Sequence, residues 1–294
     1  MNIQSMSNLK QRFIFGNLST ITMFLAIYLS TNQYLKIFFI ALIAGIIGMA
    51  LWEFYAMARN KKYQPLAYYA IASSMVYLFA TYISTQYHVF PMLPQLTLLL
   101  TMVGAFAYFF DKGQNSMSNI AITLFGLVYL TLPLTGMIQI NYFFPAESLQ
   151  DGRLWLTYLL LVTKMTDIGA YFIGKNFGKH KITPYISPSK TIEGSIGGLL
   201  AAILMSLAFY FVTQYFSLPF TLSLNEALCL GTIIGVVGQF GDLAESLLKR
   251  DCEVKDSNQL PGLGGVLDTA DSIIFTVPLV YFFMNAKFAQ EILR

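Results

Sequence analysis

Charge is scarce in this sequence. Asp, Glu, Lys and Arg make up 11% of its 294 residues, where a soluble domain carries about 25%. That deficit argues against a water-soluble globule. Histidine and cysteine are also rare, with two of each. Cys229 sits in an apolar run and Cys252 in a basic loop, so neither a disulfide framework nor a zinc-binding spacing can be built. No GxxxxGK[ST], HExxH or GxSxG motif occurs, and no Ser-His-Asp arrangement is visible. P-loop, zinc-protease and serine-hydrolase chemistry thus lack their residues. A net charge of +3 is too small and too scattered for nucleic-acid binding.

What is abundant is apolar surface. Hydrophobic residues make up 56% of the chain and aromatics 15%, with a mean hydropathy of +0.59. Nine apolar segments lie near 13–30, 37–58, 66–84, 93–110, 118–139, 154–174, 188–216, 226–247 and 268–286. A helix crosses the hydrocarbon in roughly 20 residues, with its backbone groups satisfied internally. The runs are continuous, not the short alternating segments of a barrel. The fold class expected is an all-α polytopic integral membrane protein with about nine transmembrane helices. Residues 1–150 would form five N-terminal helices and 151–294 a C-terminal catalytic region of four. Lys10 and Arg12 precede the first apolar stretch as in a signal peptide, but the stretch is long and shows no small-residue cleavage site, so it reads as a retained span.

Lys and Arg set the orientation. Of eighteen, thirteen fall in loops on one side and four on the other, with Lys164 inside a span. The richer side is expected to be cytoplasmic. It carries the two most polar loops, near 175–190 and 248–267, and places the C-terminus outside.

Stretch 242–271 concentrates charge beside these apolar segments. Such groups must meet water, pair or bind an ion, which makes them functional candidates. In the eighth segment Gly231, Gly235, Gly238, Asp242, Glu245 and Lys249 form one helical stripe. The glycines allow a close helix approach; an ordinary packing face ending in a solvated turn is the plainer alternative. Lys249, Arg250 and Lys255 follow, where contact with anionic lipid heads competes with substrate binding. The turn at 261–265 includes Gly264 and Gly265, whose backbone amides can approach a phosphate, although turns in general use these residues. Asp268 and Asp271 are three apart at the start of the last span. With Asp242 they form a candidate Mg²⁺ site, since close carboxylates repel and hard oxygens suit that ion; acids favoured at a helix N-terminus are the alternative.

A second block spans 164–198. Asp167 lies in the sixth span three residues after Lys164, an ion pair being the plain reading. Ser187-Pro188 is expected to cap and start a helix, whose N-terminus would suit a phosphate. Lys190 follows it. His180 reads as a surface residue, and His88 lies in an external loop without a role. Three acids, several cations and glycine turns on one membrane face fit metal-assisted phosphoryl or nucleotidyl transfer.

Over roughly 160–285 the chain resembles the phosphatidate cytidylyltransferase (CDP-diacylglycerol synthase) family. The C-terminal signature is matched by Ser246, Lys249, Arg250, Lys255, Asp256, Pro261, Gly262, Gly264, Gly265, Asp268 and Asp271. The earlier block is matched by Asp167, Ala170-Tyr171-Phe172, Gly174-Lys175, Phe177-Gly178-Lys179, Pro184, Ile186-Ser187-Pro188, Lys190-Thr191 and Glu193-Gly194. Leu263 replaces the signature histidine, Thr269 replaces the arginine between the aspartates, and the spacer before Pro261 is one residue short.

The resemblance implies that CTP and phosphatidic acid give CDP-diacylglycerol and pyrophosphate at the cytoplasmic face of a bacterial inner membrane, in phospholipid biosynthesis. It implies Mg²⁺ on Asp242, Asp268 and Asp271, and phosphate contacts from Lys249, Arg250, Lys255 and Lys190. Ser187, Ser246, Asp256, Gly264 and Gly265 belong to the implied substrate site, and Asp167 would bind metal or brace a cation. The number of metal ions, a second or a monovalent cation included, stays open. The glycine-rich faces would also suit a homodimer. The rival readings are an anion transporter, a catalytically altered homologue acting as a membrane scaffold, and another CTP-dependent lipid-phosphate enzyme that releases CDP.

Overall fold

The computed structural model describes residues 8–111, 115–143, 150–258 and 265–292. Helices form at all nine apolar segments: α1 (Asn8–Leu29), α2 (Lys36–Asn60), α3 (Ala67–Tyr87), α4 (Leu93–Phe109), a rod of α5 (Ser116–Gly126), a π turn (Leu127–Thr131) and α6 (Leu132–Asn141), then α7 (Gly152–Phe177), α8 (Ile192–Tyr215), α9 (Leu224–Asp251) and α10 (Val266–Ile292). Six are long and apolar enough to cross a membrane: α2, the Ser116–Asn141 rod, α7, α8, α9 and α10 up to Phe288. Leu18–Leu29 and Leu93–Phe109 are shorter apolar helices. The all-α membrane class stands, with one small addition, a hairpin of β1 (Lys181–Thr183) and β2 (Ser187–Thr191).

That hairpin corrects one expectation. Residues 187–191 are a strand, and the helix begins at Ile192. Lys181 pairs with Thr191 and Thr183 with Ser187, antiparallel. A two-stranded ribbon has only edges, where Pro188 is tolerated without its N–H. The cap is Thr191, whose side chain accepts from Gly194 N at 3.1 Å. Ser187 is neither cap nor helix start.

Contacts divide the chain into two compact units, Met1–Gln139 with Lys249–Ala270, and Ile140–Leu248 with Asp271–Arg294. In the first, α2 faces the core with Phe39, Ile43, Ile47, Leu51 and Tyr55 sealed from solvent. Tyr55 Oη donates to Thr123 O at 2.7 Å. Pro133 lies just beyond the π turn. Lacking an N–H, it cannot continue the i→i−4 ladder, which fits a local widening there.

In the second unit α7 and α8 form a hairpin around the ribbon. Their approach is close enough that a Cβ at Gly169 would lie 2.5 Å from Ala201 Cβ and 2.9 Å from Gly197 O. The expected glycine stripe of α9 is used within the chain: Gly231 faces Ser206 and Ala202 of α8, and Gly235 faces Ala202 and Leu199. Trp155, Tyr158 and Phe220 close the core at the other end of α7.

Candidate active site

The C-terminal signature residues of the first unit meet where α9 ends and α10 begins. Lys249 Nζ lies 2.7 Å from Asp268 Oδ1, with side chains only 12% and 18% exposed. Asp268 also accepts from Gly265 N at 2.8 Å and Ser257 N at 3.2 Å. It is therefore at once a first-turn acid, favoured by the exposed N–H groups there, and the anion facing Lys249. Gly265 sits between carboxylates: a Cβ there would collide with Ser257 Oγ and lie 2.7 Å from Glu53 Oε2 and 2.9 Å from Asp268 Oδ2. Thr269, where the family signature has arginine, donates to Gly265 O at 3.1 Å.

The loop residues between are less buried. Arg250 Nη1 donates to Val254 O at 3.3 Å, and Lys255 and Asp256 are exposed. Lys61 pairs with Glu253 at 3.3 Å, and this hydrogen bond raises the pKa of the Lys61 ammonium above its ordinary value. Gly264, Leu263 and Pro261 lie outside the described residues.

The second unit holds the other candidates. Lys190, on β2, places Nζ 2.6 Å from Asp242 Oδ2 on α9. Asp167 lies 3.7 Å from Lys164, the i, i+3 pair read from the sequence, and accepts from Ser272 Oγ at 3.2 Å. Asp271 is 8% exposed and lies within electrostatic reach of Asp242, Asp167 and Lys164. Its backbone passes so near α9 that a Cβ at Gly241 would stand 2.5 Å from Asp271 O. Glu245 is fully buried and Ser246 nearly so, while Ser187 is buried at the start of β2. His180 is exposed, as expected, with Nδ1 2.6 Å from Glu193 Oε1.

Two cation–carboxylate pairs thus join residues read separately from the sequence, Lys249 with Asp268 and Lys190 with Asp242. Among the described residues, no three His, Cys, Asp or Glu side chains form a ready metal cage. Two contributors went unread in the sequence. Gly241 lay outside the periodic stripe and only the α10 backbone singles it out. Glu53 did carry a signal: an acid inside an apolar span, and the only Asp or Glu in the first 110 residues.

The model of the cytidylyltransferase family matches residues 10–287. The phosphatidate cytidylyltransferase of Chlamydia pneumoniae is 32% identical over 264 residues, covering 86% of this chain and 83% of that protein. That of a Synechocystis strain is 34% identical over 276 residues, covering 84% and 88%. That of Bacillus subtilis is 42% identical over 161 residues, covering 54% and 58%.

Proposed function

We propose that this chain, which belongs to the cytidylyltransferase family, transfers the cytidylyl group of CTP to phosphatidic acid, giving CDP-diacylglycerol and pyrophosphate. The match to phosphatidate cytidylyltransferases over most of both chains carries this reading. A phosphatidate oxygen would attack the α-phosphorus of CTP in line, and the bond to the β-phosphate oxygen would break as pyrophosphate leaves. A phosphate monoester oxygen is already nucleophilic near neutral pH, so no strong general base is needed. That agrees with the lack of any histidine in the charged stretch 242–271.

The paired charges suggest how the residues would work. Lys249 and Lys190 are held in place by Asp268 and Asp242, and phosphates would compete for these ammonium groups. Arg250 and Lys255 would add cationic contacts from the loop, near Ser246 and Asp256 in sequence. Asp242 and Asp271, with Asp268 at the start of the same helix as Asp271, are the residues proposed to hold Mg²⁺. Their oxygens are of the hard type that ion takes, and a Mg²⁺ site is commonly completed by substrate phosphates and not by an all-protein cage. When bound, the ion would neutralise charge gathering on the phosphates. Asp167 is proposed to brace Lys164.

Nine membrane crossings are proposed on the nine helical segments, with the site facing the cytoplasm of a bacterial inner membrane. The thirteen-to-four division of Lys and Arg supports that orientation. A homodimer, if formed, would use a face other than Gly231 and Gly235, which α8 occupies. The test is to incubate purified protein with CTP, phosphatidic acid and Mg²⁺. CDP-lipid and pyrophosphate in equal amounts are expected. Release of CDP would make it a kinase, and no nucleotide turnover would favour a scaffold.

A further inference from the structure

Glu53 lies on α2 with 2% exposure. Among the described residues its carboxylate accepts from four donors. Ser257 Oγ at 2.9 Å and Leu267 N at 2.9 Å reach Oε2; Asn258 Nδ2 at 3.1 Å and Val266 N at 3.1 Å reach Oε1. Two ionised oxygens offer about four acceptor sites, so this set matches their capacity. Val266 and Leu267 are first-turn residues of α10, whose amides have no partner inside their own helix. A negative group from α2 therefore caps α10 from outside its own sequence. Ser257 links two acids: its Oγ goes to Glu53 and its N to Asp268.

We infer that Glu53 is a positioning residue for nucleotide binding, acting through Ser257 and the first turn of α10 to hold Asp268 and the Gly265 amide in place. The inference rests on the cytidylyltransferase reading. It gives the N-terminal helices a part in a site whose sequence motifs all lie beyond residue 160. Glu53 is not itself a cation ligand, because its oxygens face donors. With the tether cut, the residues that meet the nucleotide are aligned only part of the time. Apparent affinity then falls by the aligned fraction, while saturating CTP restores the arrangement.

The experiment compares wild type with Glu53→Gln, which keeps size but turns a donor group toward donors. The expected result is a KM for CTP raised about tenfold with kcat within about threefold and an unchanged KM for phosphatidic acid. Amide hydrogen exchange at Val266 and Leu267 should accelerate about tenfold or more, while the core of α3 keeps its protection. A wild-type KM for CTP, or a fall in kcat alone, would overturn the inference. If Glu53→Gln does not fold, Ser257→Ala with Asn258→Ala removes two of the donors, and the same two outcomes decide. If the wild type makes no CDP-lipid, the enzymatic reading fails. Exchange at Val266 and Leu267 then still reports on the tether, and an unchanged rate in the variant would end that too.

Discussion

Lys249 Nζ and Asp268 Oδ1 stand 2.7 Å apart, both largely buried, joining the last turn of α9 to the first turn of α10. Burying either charge alone would be costly, whereas the pair offsets that penalty. A cation that took Asp268 would leave the ammonium of Lys249 for a phosphate. The contact is thus also a candidate exchange point for substrate.

Asp268→Asn tests that role. The amide oxygen can still accept from Gly265 N, so α10 should keep its start, but the charge facing Lys249 is gone. CTP turnover is expected to fall about 100-fold or more, with the protein still monodisperse on gel filtration. Near-normal turnover would remove Asp268 from the site.

Divalent-ion dependence follows from the proposed roles of Asp242, Asp268 and Asp271. Chelation should abolish CDP-lipid formation and added Mg²⁺ should restore it. Asp271→Asn is expected to raise the Mg²⁺ concentration needed for half-maximal rate. Full activity in excess chelator would exclude the metal.

Gly265→Ala tests the crowding between Glu53 and Asp268. The methyl group meets Ser257 Oγ and both carboxylates, and overpacking of this kind destabilises by about 1–3 kcal/mol. A lower thermal midpoint and weaker CTP binding are expected together. An unchanged midpoint would mean that the turn has room which the contact distances deny.

Cys252 reports on orientation and environment. In a Cys229→Ser background, a membrane-impermeant maleimide should label Cys252 in inside-out vesicles and not in intact cells. Burial first, and Asp251 next, push the Cys252 thiol up from its ordinary pKa. Because the thiolate is the reactive form, labelling should keep accelerating above about pH 8.5, the ordinary thiol value. Rapid labelling from outside intact cells would reverse the topology.

Much of this was legible in the linear chain. Hydropathy located the helices of the described residues because a membrane-crossing helix demands a continuous apolar run with an internally bonded backbone. The signature residues stood out because charge beside such runs needs a reason. Ser187-Pro188 misled because a Ser-Pro pair opens a helix and ends a ribbon strand equally well; pairing with Lys181–Thr183 decided it. The i, i+3 partner of Lys164 was legible, but those of Lys249 and Lys190 were not. Lys249 lies nineteen residues from Asp268 and Lys190 much farther from Asp242, and sequence spacing carries no information about contacts at that range.

The sequence by itself determined the class of the protein, its helical segments, its family and the residue types available for chemistry. These depend on composition, local periodicity and short motifs. Only the tertiary structure decided that Glu53, some two hundred residues from Ser257, caps α10 and that Gly241 lets the Asp271 backbone approach α9. Hydrogen bonding and close packing act between atoms that folding makes neighbours, so their partners are set by the path of the chain through space.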